Sequence, residues 1–247
     1  MSKEMLLTKE TILTFVSKYN LGGLVESVIW DIEDSTLKTN FLLSDKSLKG
    51  EVLLKKFEVD DAKFGIYETT QLNRMLGVIE DQCYLNLIKV GDKWRTLEIK
   101  DSTTKIKFML AELDVIENPG KTKYIPEFDL SIKLTPRLID KILKTKSAIE
   151  GAKYFKINSD VLSNECKIII GSGYNKVIID VECEDELEDI QDLTFSLEHF
   201  TKILSVNKKF DTNKFQVSKE GLVSLDFEDT NFKTNYLMVA QLGVGDE

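Results

Sequence analysis

His199 is the only histidine among 247 residues, and Cys83, Cys166 and Cys183 are the only cysteines. Imidazole catalysis therefore has one candidate. A zinc site would need all four of these residues, at spacings of 83, 17 and 16. Structural zinc ligands come in close pairs, so this set does not read as a metal centre. His199 stands in Leu197-Glu198-His199-Phe200-Thr201, a helix start where an exposed surface histidine is expected. Three widely spaced cysteines without a CxxC suit a reducing cytoplasm better than a disulfide scaffold. Gly120-Lys121-Thr122 ends like a phosphate-binding loop, but the glycine required at the head of that pattern is Val115. Gly171-Ser172-Gly173 lacks its third glycine, Lys176 standing there, and reads as a hairpin turn. No G-x-S-x-G occurs. The run from Glu182 to Asp192, with seven acids, reads as a solvated loop. No cofactor is implied, and the chain is not expected to be an enzyme.

The residues that do stand out are cations. Net charge is −9, which on average disfavours nucleic acid. The average conceals a segregation. Ten cations against five anions leave four helical segments at +5, counting the last through Lys209 and the third through Glu150, and the remainder of the chain at −14. The cations that can face a phosphate are Lys9, Lys18, Arg74, Arg137, Lys141, Lys144, Lys202, Lys208 and Lys209. Arg137, Lys141 and Lys144 lie within about 60° of one another on a helical wheel, opposite Leu138, Ile139 and Ile142. Lys146 falls nearer the apolar side and is expected to snorkel or to lie past the last turn.

The elements that must hold these cations follow from periodicity. Apolar residues at helical spacing predict helices over Thr8–Asn20, Thr69–Glu80, Thr135–Ala148 and Ser196–Asn207. Thr8 and Thr135 read as N-caps, and Pro136 suits the first helical position. Between them, alternation predicts strands in Val25–Glu33, Lys105–Leu113, Lys153–Ile157 and Lys176–Val181, with a further hairpin turn at Val90-Gly91-Asp92-Lys93. The 3 prolines allow regularly paired sheets. No apolar run approaches the ~20 residues of a membrane helix. Met1–Lys9 has no apolar core of a secretory leader, so a cytoplasmic place and no membrane partner are expected.

The helices recur. Leu7-Thr8 and Leu134-Thr135 are offset by 127 residues; Leu72, Met75 and Leu76 match Phe200, Ile203 and Leu204 at 128. Phe108–Leu113 matches Leu237–Leu242 at 129. The chain thus reads as an α+β protein of two tandem copies of one helix–strands–helix–strands unit, residues 1–113 and 131–247, joined by a connector over 114–130.

Phe64-Gly65-Ile66-Tyr67-Glu68, Ile142-Leu143-Lys144, Leu193-Thr194-Phe195-Ser196-Leu197 and Asn235-Tyr236-Leu237-Met238-Val239-Ala240, in this order and spacing, resemble a DNA polymerase sliding clamp. The likeness is strongest to the clamps of T-even-type tailed phages and runs over nearly the whole chain. It implies the processivity fold of PCNA-like clamps, with strands as outer wall and four helices lining a ring. It also implies a homotrimer around double-stranded DNA held without regard to sequence. DNA polymerase and a clamp loader are the implied partners. Lys105–Leu113 is then expected to pair with Lys176–Val181 of a neighbouring copy. The resemblance places the partner-docking site at Ile125 in the connector with Met238 and Ala240 near the end of the chain. The competing expectation is a duplicated β-rich structural or assembly protein, such as a virion component, without a DNA function.

Overall fold

The computed structural model describes residues 5–120, 122 and 124–241; Lys121, Leu242 and the first four residues, which figure in the readings above, lie outside them. The chain forms two units. The first comprises Met1–Phe41, Gly50–Gly120 and Thr230–Thr234, and the second Leu42–Lys49, Lys121–Asp229 and Asn235–Glu247. The units are therefore not the continuous stretches 1–113 and 131–247. Two short segments change places because their backbones bond across. In the first unit the Lys55 amide donates to the Asn231 carbonyl at 2.7 Å, and in the second Val239 donates to Ser47 at 3.0 Å.

The first unit runs β1 (Met5–Thr8), α1 (Lys9–Asn20), β2 (Val28–Glu33), β3 (Thr36–Leu42), β4 (Leu48–Leu54), β5 (Ala62–Ile66), α2 (Thr69–Leu76), β6 (Gln82–Val90), β7 (Lys93–Lys100) and β8 (Lys105–Met109). The second repeats the series: β9 (Leu130–Ile132), α3 (Pro136–Ala148), β10 (Tyr154–Asp160), β11 (Glu165–Ser172), β12 (Asn175–Asp180), β13 (Ile190–Ser196), α4 (Leu197–Val206), β14 (Thr212–Ser218), β15 (Leu222–Glu228) and β16 (Phe232–Val239). Strand order repeats as well. β1-β6-β7-β8 and β5-β2-β3-β4 in the first unit match β9-β14-β15-β16 and β13-β10-β11-β12 in the second. One hydrogen bond fixes the equivalence of the closing strands. Ala111 N donates to Gly65 O at 2.9 Å, and Gln241 N to Thr194 O at 2.8 Å. Ala111 thus corresponds to Gln241, one residue beyond the alignment at 129.

Local chemistry explains the helix limits. Thr8, Thr135 and Ser196 each cap a helix by accepting from the amide three residues on, Thr11, Leu138 and His199 respectively. α2 has no such cap of its own. Its first residues are held from a distance by Glu26, whose carboxylate accepts from Thr70 N at 2.9 Å and from the Thr70 hydroxyl. α2 also ends at Leu76, short of Glu80, as Gly77, Val78 and Ile79 turn back onto carbonyls three residues earlier. β8 stops at Met109, short of Leu113, and a single 3-10 turn follows at Leu113–Val115.

Each unit has an aromatic core. In the first, Phe15 meets Trp30 edge-on at 5.3 Å between centroids, and Trp30 meets Phe64 at 5.8 Å. In the second, Phe155 stacks on Phe200 at 4.4 Å and Phe200 leans on Phe215 at 5.5 Å. These rings join helix to sheet. α1 packs beside α2 and α3 beside α4, which leaves the outer faces of each helix pair to carry the cations.

Candidate nucleic-acid interface, strand edges and docking surface

α3 presents its cations as expected. Arg137, Lys141 and Lys144 are exposed, while Leu138, Ile139 and Ile142 are buried beneath them. Lys146 turns back at the last turn, and its ammonium donates to the Ala152 carbonyl at 3.0 Å. On α4, Lys202 pairs with Glu198 at 3.1 Å, one turn away, so part of its charge is neutralised. Lys208 and Lys209 are exposed but lie past the end of α4, in the turn before β14.

The first unit is poorer in charge. Arg74 is exposed on α2. Lys9 is half-buried, and its ammonium donates to Gly77 O at 2.7 Å, at the carbonyl end of α2. Lys9 also lines a groove of about 720 Å³ with Leu6, Tyr84 and Lys100. Lys18 departs from expectation. It is only 3% exposed, with its ammonium 5.4 Å from the centroid of the Phe232 ring. Sequence reading counts Lys18 with the phosphate-facing cations, but on α1 it falls beside Phe15 and Tyr19, both fully buried, and its stem joins that core. Cationic helical surface is therefore concentrated on the second unit.

His199 is half-buried rather than exposed. Burial holds its imidazole below the usual histidine range, against the opposite pull of Asp45 and Glu198. Among the described residues no group of His, Cys, Asp and Glu is placed to hold a metal ion, and no helix is long and apolar enough to cross a membrane.

The three residues of the expected docking site separate. Ile125 is 49% exposed and Ala240 half-exposed, but Met238 is 1% exposed and belongs to the core. Strand alternation gives the surface place to Val239, 46% exposed. The turn after β14 joins connector and terminal strand. The Tyr124 hydroxyl donates to Glu220 Oε1 at 3.2 Å, and Ala240 N donates to Gly221 O at 2.7 Å. The acceptor carboxylate raises the Tyr124 hydroxyl above its usual range. Glu220–Gly221 thus touches both Tyr124 and Ala240, whose chain neighbours Ile125 and Val239 are exposed apolar side chains. The resemblance named Met238 and Ala240 but not Val239, the exposed residue between them.

β8 and β12 are two of the edge strands. Among the described residues β8 pairs with β7 alone and β12 with β11 alone. The direction of their amides is fixed by neighbours. Leu110 N donates inward to Arg95 O at 3.0 Å, and Val181 N to Cys166 O at 3.0 Å. Backbone groups alternate sides along a strand, so Lys107 and Ile178 each point an N–H outward. Large apolar side chains accompany these edges: Met109 is 82% exposed and Ile178 47%. Exposed, unpaired edges of this kind are templates for another strand.

The same duplicated architecture, over the same length, occurs in solved structures. PCNA of Entamoeba histolytica matches with a TM-score of 0.76 at 15% identity, over 97% of this chain and 98% of that one. The chain has the PCNA fold. The A. fulgidus PCNA, solved with the C-terminal region of FEN-1, matches at 0.77 and 14% identity over 99% and 100% of the two chains. A chain of the PCNA2–PCNA3 complex of Sulfolobus tokodaii matches at 0.74 and 12%, over 97% and 99%. No protein-family model and no curated protein matches the chain. In terms of the PCNA fold, the four helices are the two pairs α1/α2 and α3/α4, and β8 and β12 each end a four-stranded sheet, β1-β6-β7-β8 and β12-β11-β10-β13.

Proposed function

We propose that this protein is a sliding clamp: a homotrimeric ring that encircles duplex DNA and tethers DNA polymerase. One observation carries the reading. Among its edge strands this duplicated PCNA-fold chain offers β8 and β12, with outward amides and exposed apolar side chains. Pairing β8 of one copy with β12 of the next covers both edges at once. A heterologous contact of this kind closes into a ring when the rotation permits, and three two-unit chains make a ring of six units. The segregated charge supports the same reading. Arg137, Lys141 and Lys144 attract phosphates without reading bases, which suits a protein that slides. The acidic remainder keeps other surfaces away from DNA. Retention is then topological rather than a matter of affinity, and a clamp loader opens the ring. The surface of Tyr124, Ile125, Val239 and Ala240 takes a short peptide of the polymerase. The T-even-type phage setting rests on the sequence segments that carry the resemblance.

The deciding experiment loads the protein onto nicked circular DNA and then linearises it. A clamp stays on the circle through gel filtration and leaves when an end is cut. A β-rich assembly protein without a DNA function shows no such difference. Its mass in solution also departs from three times 28.2 kDa.

A further inference from the structure

Cys166 and Cys183 lie in the second unit; Cys83 lies in the first, buried in β6 with no second cysteine in its unit. Cys166 is on β11, opposite Val181, which donates its amide to the Cys166 carbonyl at 3.0 Å. The register Ile168↔Ile179 and Lys167↔Asp180 leads to that pair. Cys183 is two residues past Val181 and so returns to the face that carries Cys166. The segment around it is pinned to β9. Lys133 N donates to Glu182 O and Glu184 N to Ser131 O, both at 2.8 Å, and Ile132 bridges Cys183. In this arrangement each thiol is close enough to influence the other's ionisation. Cys166 is 4% exposed, and Cys183 is half-exposed and open to a small reagent.

We propose that Cys166 and Cys183 form a reversible intrachain disulfide that clips the end of the open edge strand β12 to β11. With a small aliphatic disulfide as oxidant, the Cys183 thiol loses its proton and its sulfur displaces one thiolate of the reagent, leaving a mixed disulfide. The Cys166 sulfur, losing its own proton, then attacks Cys183 and releases the second thiolate. Two cysteines are oxidised, one reagent disulfide is reduced, and the two protons end on the released thiols. Burial raises both thiols above the usual range, Cys183 also under the charge of Asp185. The first step therefore quickens as pH rises. The clip needs no assembly and does not depend on the clamp reading.

The folded, full-length chain is incubated with oxidised glutathione. The expected product is lighter by two hydrogens and carries no glutathione. Peptide mapping joins Cys166 to Cys183, Cys83 remains open to alkylation after unfolding, and dithiothreitol restores the mass. Cys183→Ser abolishes the product and Cys83→Ser does not. Amide exchange over Ile178–Val181 is slower in the oxidised form. A stable glutathione adduct on Cys183, an unchanged mass, or a link that forms only in urea overturns the proposal. So does equal exchange of β12 in the two forms.

Discussion

The ammonium of Lys18 sits 5.4 Å from the ring centroid of Phe232, and the residue is 3% exposed. A cation at the end of α1, where the helix carbonyls point, is favoured by the macrodipole, and an aromatic face adds to that preference. Lys18 is thus a structural cation, although its spacing on the helix resembles that of a phosphate contact. Lys18→Ala removes both the stem and the charge and is expected to cost about 1–3 kcal/mol in urea unfolding, with Lys18→Met losing less. Neither substitution is expected to change the salt slope of DNA binding. A reduced slope with unchanged stability would return Lys18 to the DNA-facing set.

The α3 cations behave differently. Arg137, Lys141 and Lys144 are exposed, and among the described residues none carries a fold contact of the kind made by Lys146. Reversing all three to Glu is expected to leave the melting temperature within a few degrees. Each lost phosphate contact lowers the salt slope of DNA binding by about 1. Arg74→Glu alone, on the charge-poor unit, is expected to have the smaller effect. Fluorescence anisotropy at several salt concentrations measures both.

Lys107 and Ile178 give a test of assembly. Their amides point away from β7 and β11, so proline at either position removes no hydrogen bond within the chain. The expected result of Lys107→Pro or Ile178→Pro is a folded monomer by light scattering. Trimers of unchanged stability from both variants exclude the pairing of β8 with β12.

At the proposed docking surface, Ala240→Glu places a charge beside Val239 and Gly221. Loss of a peptide anchor of hot-spot size costs at least about 2 kcal/mol, roughly thirtyfold in affinity. The ring should persist. Met238→Ala, by contrast, is expected to destabilise the chain by about 2–5 kcal/mol, because that side chain is in the core. Calorimetric titration with the polymerase, beside urea unfolding of each variant, separates the two effects.

Asp101 sets an acid limit on one turn. Its carboxylate accepts from the amides of Glu80 at 2.7 Å, Thr103 at 2.7 Å and Thr104 at 2.5 Å. These bonds lower its pKa from the ordinary 3.8 to about 2. The unfolded chain therefore binds the proton first. The stability that Asp101 contributes is complete above about 3.8 and is lost as pH falls toward 2. Asp101→Asn should remove this part of the acid dependence, measured as unfolding midpoints across that window.

The helices, their caps and the duplication were legible in the chain itself. Thr8, Thr135 and Pro136 act within one turn of the residues they cap, and the stripe of Leu138, Ile139 and Ile142 repeats with the helix, so nearest neighbours settle both. Tertiary structure decided what depends on partners distant in sequence. Glu26 caps α2 from more than 40 residues away, a bond that no local pattern announces. The burial of Lys18 is fixed by Phe232, which the chain reaches only in its last strand. Met238 and Val239 exchange the inner and outer faces of β16 on a shift of one residue, and that register is set by cross-strand bonds such as Val239 to Ser47. Spacing along the chain shows which side chains share a face; which face meets the core or the solvent is decided by packing.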